Sequence, residues 1–489
     1  MISLIQDLDG KKKWQIYVEE IKKTLETGKS AIFLLPDINL CLRAQEIIAS
    51  KVDCRSVILY RNKPQELADW LSIRERKVNV VFGTRSSIFA PLSDLGMIIL
   101  DDEEDSVYKQ DQVPHYHARE IALMRARQEG LKVILGARSP SLESVLLAKK
   151  KQIDYTFIPR DREFPQIKTV DLTPETRFSK KKNIIFSRFL HDAITSSLSA
   201  REKILLFSNR KGFATFASCQ SCRTSLKCPR CNINLVYHFS RDLLSCHYCN
   251  FKMPLPKICP ECNKGYIKFS GVGTERIESE LARLFPQARI KQIDNERGWD
   301  TSDADIFVST SSVIRHSGIN FDLAAVLGID NSLNRVDFRA SEKTFALLVG
   351  ILGITNKTLI IQTALADQPV FQALLKKDVQ LFYNEELKQR SQLKLPPYRH
   401  LAQVRLRAKK ENRVEEAAVA LFKKLSECGS KDIEIISVNP GTPPKLRGNF
   451  YWQVLVKGNA PKKMTALLKK HLKDFSHSGI IVTVDMDPI

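Results

Sequence analysis

The sequence predicts an α/β protein of two lobes, a two-zinc, eight-cysteine insertion in the second lobe, and a C-terminal α+β domain. Three observations carry this. Apolar runs alternate with helical stretches through the first 160 residues, the pattern of a parallel sheet covered by helices. A second alternating block follows a polar stretch near 173–184. Eight of the eleven cysteines crowd between 219 and 262.

In the first lobe, AIFLLP (31–36), VNVVFGT (78–84), GMIILDD (96–102) and KVILGA (132–137) read as buried strands. QIYVEEIKKTLET (15–27) and HAREIALMRARQEG (117–130) carry apolar residues at helical spacing. The second lobe offers KILLFSN (203–209), ADIFVST (304–310), AAVLGID (324–330) and TLIIQT (358–363) as strands. From about 397, strands HLAQVRLRAKK, DIEIISV, YWQVLVKG and IIVTVDM alternate with helices at 411–428 and 461–475. The expected organisation is lobe 1 over 1–170, lobe 2 over 171–218 and 269–370, the insertion over 219–268, a helical linker over 371–396 and the last domain over 397–489.

Composition excludes several classes. With 43% hydrophobic residues the chain can bury several cores, which rules out collagen-like, mucin-like and fully disordered proteins. No run reaches 18 uninterrupted apolar residues, so no membrane span is expected. MISLIQDLDGKKKW places apolar residues before basic ones, the reverse of a signal peptide, and a cytoplasmic location is expected. Seventy-six Lys and Arg against 55 Asp and Glu leave +21. Such a surplus suits a polyanion. No basic amphipathic anchor stands out, which favours nucleic acid over a membrane surface.

The clustered cysteines form four Cys-x-x-Cys knuckles, Cys219/Cys222, Cys228/Cys231, Cys246/Cys249 and Cys259/Cys262. Each presents two thiolates to one ion, and tetrahedral zinc takes four, so four knuckles make two sites. The spacing between Cys231 and Cys246 suits one finger with Cys228 and Cys249. The outer knuckles, Cys219/Cys222 with Cys259/Cys262, then close the other. Disulfides suit a cytosolic chain poorly, and regularly paired knuckles favour zinc over an iron–sulfur cluster. Cys41, Cys54 and Cys428 lack partners at ligand spacing and read as ordinary thiols.

Longer motifs run along the whole chain: GTRSSIFAP (83–91), GMIILDDEEDSVYKQ (96–110), HYHARE (115–120), SPSLES (139–144), SNRKGFA (208–214), GVGTERIESEL (271–281), DFRASEKTF (337–345), LPPY (395–398), LRGNFYWQ (446–453) and VDMDP (484–488). With the eight-cysteine spacing, they resemble the PriA (primosomal protein N′) family of replication-restart helicases. The resemblance implies two RecA-like helicase lobes driven by ATP and magnesium. It also implies DNA forks and single strands as substrates, with other primosome proteins and single-strand-binding protein as partners. It begins at the first motor strand, without the DNA-binding region that precedes the motor in the family, so recognition of a fork's 3′ end is expected to suffer.

Each catalytic element departs from the family pattern. A phosphate-binding loop runs G-x-x-x-x-G-K-[ST]. The matching segment is Asp7-Leu8-Asp9-Gly10-Lys11-Lys12-Lys13-Trp14. Gly10 and Lys13 remain as candidate nucleotide ligands. Asp7 replaces the first glycine and repels phosphate, Lys12 replaces the last and crowds the approach, and Trp14 replaces the magnesium-binding hydroxyl. Gly28-Lys29-Ser30 follows a helix and precedes a strand, the wrong order for such a loop. The family's DEEH is Asp101-Asp102-Glu103-Glu104 here. Asp101 could still hold magnesium. Asp102 is shorter than the glutamate that activates water, a displacement that costs about a hundredfold. Ala137 and Arg138 interrupt the next motif, and STSSVIRHSG (309–318) has lost its first glycine. The family's Gly-Arg-x-Gly-Arg is Gly353-Ile354-Thr355-Asn356-Lys357, and an arginine finger is worth roughly 10³–10⁵ in rate. The expectation is a restart protein that binds DNA without ATP turnover, the alternative an active 3′→5′ helicase.

By resemblance, Tyr108, Lys109, His115, Tyr116, His117 and Arg119 belong to an aromatic-rich loop that contacts single-stranded DNA. Aromatic faces with positive charge suit that role. Arg85 and Arg210 are further phosphate contacts at strand ends. Arg447 and Trp452 are candidates in the C-terminal domain, where 445–475 holds eight Lys/Arg against one Asp.

Overall fold

The computed structural model describes all residues except 62–63, 173–184, 209–215, 220, 223–225, 230–234, 239–242, 246–250, 271–273, 294–303, 316–318, 335–336, 429–431, 474, 476–478 and 489. It comprises two compact units. Met1–Phe164 with Glu342–Gly353 forms the first, and Pro165–Ser341 with Ile354–Pro488 the second.

The first unit is built on seven strands: β1 (Ile2–Asp7), β2 (Ser30–Leu34), β3 (Ser56–Leu59), β4 (Val80–Gly83), β5 (Leu95–Asp101), β6 (Lys132–Ala137) and β7 (Asp154–Ile158). They lie in the order β3-β4-β2-β5-β6-β1-β7, every pair parallel. Helices α1 (Lys13–Glu26), α2 (Ile38–Ala49), α3 (Glu66–Arg74), α4 (Ala118–Glu129) and α5 (Leu142–Lys149) alternate with them. The continuous apolar runs follow from burial on both faces. Along β2, Ile32 and Leu34 join a core with Ile98, Leu100, Val133 and Leu135. Ala31 and Phe33 point the other way, to Tyr17, Ile21, Ala44 and Ile99. The neighbouring strands β5, β6 and β1 end at Asp101, Ala137 and Asp7. Their exit loops therefore meet at one sheet edge, where ligands bind in such folds.

In the second unit, β8 (Gln166–Asp171) and β9 (Ile204–Ser208) precede a cysteine-rich insertion holding β10 (Phe216–Cys219), β11 (Val236–His238), β12 (Leu243–Ser245), β13 (Lys252–Pro254) and β14 (Ile267–Ser270). Strands β15 (Ile290–Ile293), β16 (Ile306–Ser309), β17 (Phe321–Leu327) and β18 (Thr355–Thr363) complete a parallel sheet in the order β15-β16-β9-β17-β18-β8. Two parallel sheets, one in each unit, are thus the two α/β lobes expected from the sequence. In the insertion, β10 pairs antiparallel with β14, joining its ends, and β11-β12-β13 form a small meander.

The C-terminal part holds β19 (His400–Ala408), β20 (Ile433–Leu446), β21 (Asn449–Gly458) and β22 (Ile481–Met486), antiparallel in the order β20-β21-β19-β22. Helices Glu411–Ser426 and Pro461–Lys473 cover one face, and their Val414, Leu421, Met464 and Leu468 meet Val404, Leu406, Val454 and Val456. This β-α-β-β-α-β order is a split-βαβ, ferredoxin-like arrangement. Among the described residues, no helix is long and apolar enough to cross a membrane.

Candidate nucleotide, metal and DNA sites

The loop between β1 and α1 stands where a phosphate-binding loop would. Backbone N–H groups at a helix N-terminus form an anion cradle. Here the anion is part of the chain. Asp7, only 1% exposed, accepts hydrogen bonds from the Gly10 N–H (3.1 Å) and the Lys13 N–H (2.8 Å). Gly10 adopts φ +69°, and a Cβ there would lie 2.5 Å from Arg138 Nε, so this glycine holds both the turn and the close approach.

Lys13, whose phosphate-binding amine is the hallmark of such loops, is buried at 2% exposure. Its Nζ lies 2.5 Å from Asp101 Oδ1 and 2.7 Å from Asp102 Oδ1. Burial disfavours the ammonium, but the two carboxylates outweigh it and hold its pKa above the ordinary lysine value. Burial likewise pushes the Asp101 carboxyl up, against the opposing pull of Lys13. The Tyr17 hydroxyl donates to the same Asp101 oxygen at 2.8 Å. It fits because residue 136 is glycine; a Cβ there would fall 1.5 Å from the hydroxyl. Tyr17 was not legible as a site residue, since its role depends on Gly136, far along the chain.

The flanking substitutions also have partners. Trp14 packs its ring on Tyr17 (centroids 5.7 Å apart) and Phe33 (5.6 Å), serving the core beneath the loop. Lys12 pairs with Asp161 at the surface. Asp9 pairs with Arg160 at 3.1 Å. Gly353 packs against the loop, where a Cβ would lie 3.1 Å from the Leu8 carbonyl oxygen, and its own carbonyl accepts from Arg162. Lys357, at the second family arginine, is held by Glu202 at 2.6 Å. With Asp7 in the cradle and Lys13 neutralised, the residues present do not fit a nucleotide triphosphate with its magnesium.

Two residues expected to contact DNA are corrected. Tyr108 is fully buried, its hydroxyl donating to the carbonyls of Leu34 (3.0 Å) and Asp101 (2.7 Å). Arg119 is 5% exposed and ion-paired with Glu103 at 2.8 Å and Glu143 at 3.7 Å. Glu103 also accepts from the Ser141 N–H and hydroxyl. Both residues hold the acidic loop in place. Arg85 does the same from outside, its Nη1 donating to the Val107 and Lys109 carbonyls at 2.5 and 2.7 Å. Tyr116 is half-buried, edge-on to Phe89 at 5.1 Å. His117 caps α4 by accepting the Arg119 N–H at 3.2 Å, and its backbone bridges to Lys109. Lys109 and His115 are half-buried. Arg210 lies outside the described residues.

In the insertion, Cys219, Cys222, Cys259 and Cys262 converge with all four sulfurs within 4.8 Å of one another. The Cys219–Cys262 and Cys222–Cys259 separations are 3.6 and 3.7 Å. A tetrahedral tetrathiolate with Zn–S bonds of about 2.3 Å requires sulfurs about 3.8 Å apart, so the set fits zinc. Gly265 is required beside it, because a Cβ would come 2.2 Å from Cys219 Sγ. Of the second expected set, Cys228 is buried, while Cys231, Cys246 and Cys249 lie outside the described residues.

The C-terminal candidates separate. Arg447 sits exposed at φ +51° in the turn between β20 and β21. Trp452 is corrected: it faces inward beside Val454 and Val456 and packs on the domain core, so its ring is not presented for stacking.

Comparison with known proteins resolves the family. The primosomal protein N C-terminal domain family matches residues 391–489. Replication restart protein PriA of Bacillus subtilis is 31% identical over 521 residues, covering 100% of this chain and 64% of that protein. Replication restart protein PriA of Chlamydia trachomatis is 30% identical over 515 residues, covering 99% and 68%. The chain belongs to the PriA family. The PriA DNA helicase Cys-rich region family matches residues 228–254, so this PriA relative carries the family's zinc-binding cysteine-rich region. It spans a little under two thirds of the Bacillus subtilis PriA.

Proposed function

We propose that this PriA-family chain serves DNA replication restart in the cytoplasm as a binding protein rather than a motor. It binds forked and single-stranded DNA, recruits other primosome proteins and single-strand-binding protein, carries two zinc ions, and does not turn over ATP. One observation carries the last point: the Asp7 carboxylate takes the Gly10 and Lys13 N–H groups that would cradle phosphate. Asp101 and Asp102 meanwhile neutralise Lys13. A phosphate entering the loop would have to displace one buried carboxylate and face two more, with no arginine at residues 354 or 357 to offset its charge.

The competing reading, an ATP-dependent 3′→5′ helicase, rests on the retained Gly10, Lys13 and Asp101. DNA-stimulated ATP hydrolysis on a model fork separates the two. The expected result is no hydrolysis alongside tight, salt-sensitive fork binding in the same sample. Turnover above about 1 s⁻¹, within the ordinary enzyme range, overturns the proposal.

A further inference from the structure

The four cysteines at the base of the insertion differ in how far the protein covers them. Cys219 and Cys259 are buried, Cys262 is half-buried, and Cys222 is exposed. Cys219 is the most enclosed. Its sulfur accepts the Ser221 and Cys222 N–H groups at 3.3 and 3.5 Å, and the Gly265 backbone lies so close that a Cβ there would fall 2.2 Å away. Cys222 is reached from solvent, and behind it, from the other outer knuckle, stands Cys259 with its sulfur 3.7 Å away. An accessible sulfur therefore lies directly in front of a covered one.

The other described cysteines outside the knuckles lack this combination. Burial pushes the Cys41 thiol up to about 12 and raises that of half-buried Cys54. Both stay protonated at neutral pH, and a thiol is a poor nucleophile. Cys428 is exposed but is the single cysteine of the C-terminal domain. Sulfur bound to zinc, by contrast, is thiolate at any working pH. Lys257 and Lys264, both exposed, stand two residues from Cys259 and Cys262 and leave the surroundings positive against the one acid, Glu261. Partly exposed thiolates in positive surroundings are the ones that oxidise.

Resting on the reading that zinc binds the outer cysteines, we propose that Cys222 is an oxidation site for hydrogen peroxide, with Cys259 as its resolving partner. The Cys222 thiolate attacks one peroxide oxygen and breaks the O–O bond. Cys222 becomes a sulfenic acid, and the departing hydroxide takes a proton to become water. The Cys259 thiolate then attacks the Cys222 sulfur, forming the S–S bond and expelling a second hydroxide, which also takes a proton. The two thiolates together lose two electrons and the peroxide gains two. A disulfide bond is about 2 Å long, so side-chain rotation brings the two sulfurs together. With two of four ligands consumed, the ion leaves, and Cys219 and Cys262 take up protons. Cys222 follows β10 and Cys259 precedes β14, so the new bond joins the same two segments that the metal joined. The oxidised form keeps the ligands near their places, and a dithiol returns all four to the reduced state.

The test treats the full zinc-loaded chain with hydrogen peroxide. A chromogenic chelator follows zinc release, and peptide mapping after alkylation locates disulfides. The expected result is release of one zinc in step with a Cys222–Cys259 disulfide, reversed by dithiothreitol with added zinc. Dimedone present from the start is expected to label Cys222 before any other cysteine. Cys222→His keeps a zinc ligand but removes the thiolate; it is expected to retain the wild-type zinc content and to release the ion at least about tenfold more slowly. Where that variant fails to hold zinc, the dimedone label in the wild type decides. Cys428→Ser, which removes the other exposed thiol among the described residues, is expected to match wild type. Zinc retained under excess peroxide overturns the inference while leaving the zinc reading intact. First labelling at another cysteine, a disulfide within Cys219/Cys222, or unchanged release from zinc-loaded Cys222→His overturns it too. Outer cysteines that alkylate freely before oxidation in the zinc-loaded chain overturn both.

Discussion

At the scale of single residues, Asp7 decides what the first loop can do. A carboxylate in the place of a glycine satisfies the Lys13 N–H at the start of α1 and the Gly10 N–H of the loop before it, as a helix cap does. It also fixes the loop whether or not an anion is near. Asp7→Ala is therefore expected to cost about 1–3 kcal/mol, the desolvation penalty of stranded donors. That lowers the melting temperature by several degrees, measured by calorimetry. Sulfate is expected to recover part of the loss in the variant and to do less for the wild type. An equal sulfate response in both would show that Asp7 does not fill the cradle. The sequence made Asp7 visible as an offending charge, but not as the cradle's occupant. Tyr108 and Arg119 were misread for a related reason: an aromatic and an arginine beside a loop look the same in sequence whether they face out or lie beneath it. Burial of Glu103, 16 positions from Arg119, is what draws that arginine inward.

Among the secondary-structure elements, legibility followed position in the sheet. The apolar runs of β2, β4, β5, β6, β9, β16, β17 and β18 stand out because each of these strands has neighbours on both sides and buried faces. Of the strands that gave no such signal, β3, β7, β8 and β15 are the four edges of the two parallel sheets, and β1 is interior. DYTFI and QIKTVD keep polar residues because those edges are partly open to solvent. The C-terminal helices were legible to within two residues from apolar spacing alone, yet which way Trp452 points depended on the register with β19. In the insertion, knuckle spacing indicated outer pairs closing on each other, and four sulfurs meet there. Cys259→Ser is expected to lower the zinc content from two to one per chain by metal analysis and to reduce thermal stability, since such a site contributes folding energy directly. Two zincs retained in the variant would show that Cys259 is not a ligand.

For the molecule as a whole, the excess of +21 is a statement about partners. Fork affinity is expected to fall at least about a thousandfold between about 50 and 200 mM salt if six or more phosphates are contacted. A flat response would leave the charge without a nucleic-acid explanation. The charge was plain in the sequence; its division between structure and surface was not, because cations such as Lys13 and Arg119 serve internal ion pairs. The hydrogen-bonded neighbours β10 and β14 have one more consequence. Chain enters and leaves the insertion side by side, with Cys219 opposite Ile267. In polymer terms the insertion is a loop pinched shut at its neck, and the thiolate cluster at that neck fixes the distance between its ends. Closing a loop costs only logarithmically more as it lengthens. The excursion can therefore gain or shed residues at its far end while the lobe beneath continues to see two ends one strand spacing apart.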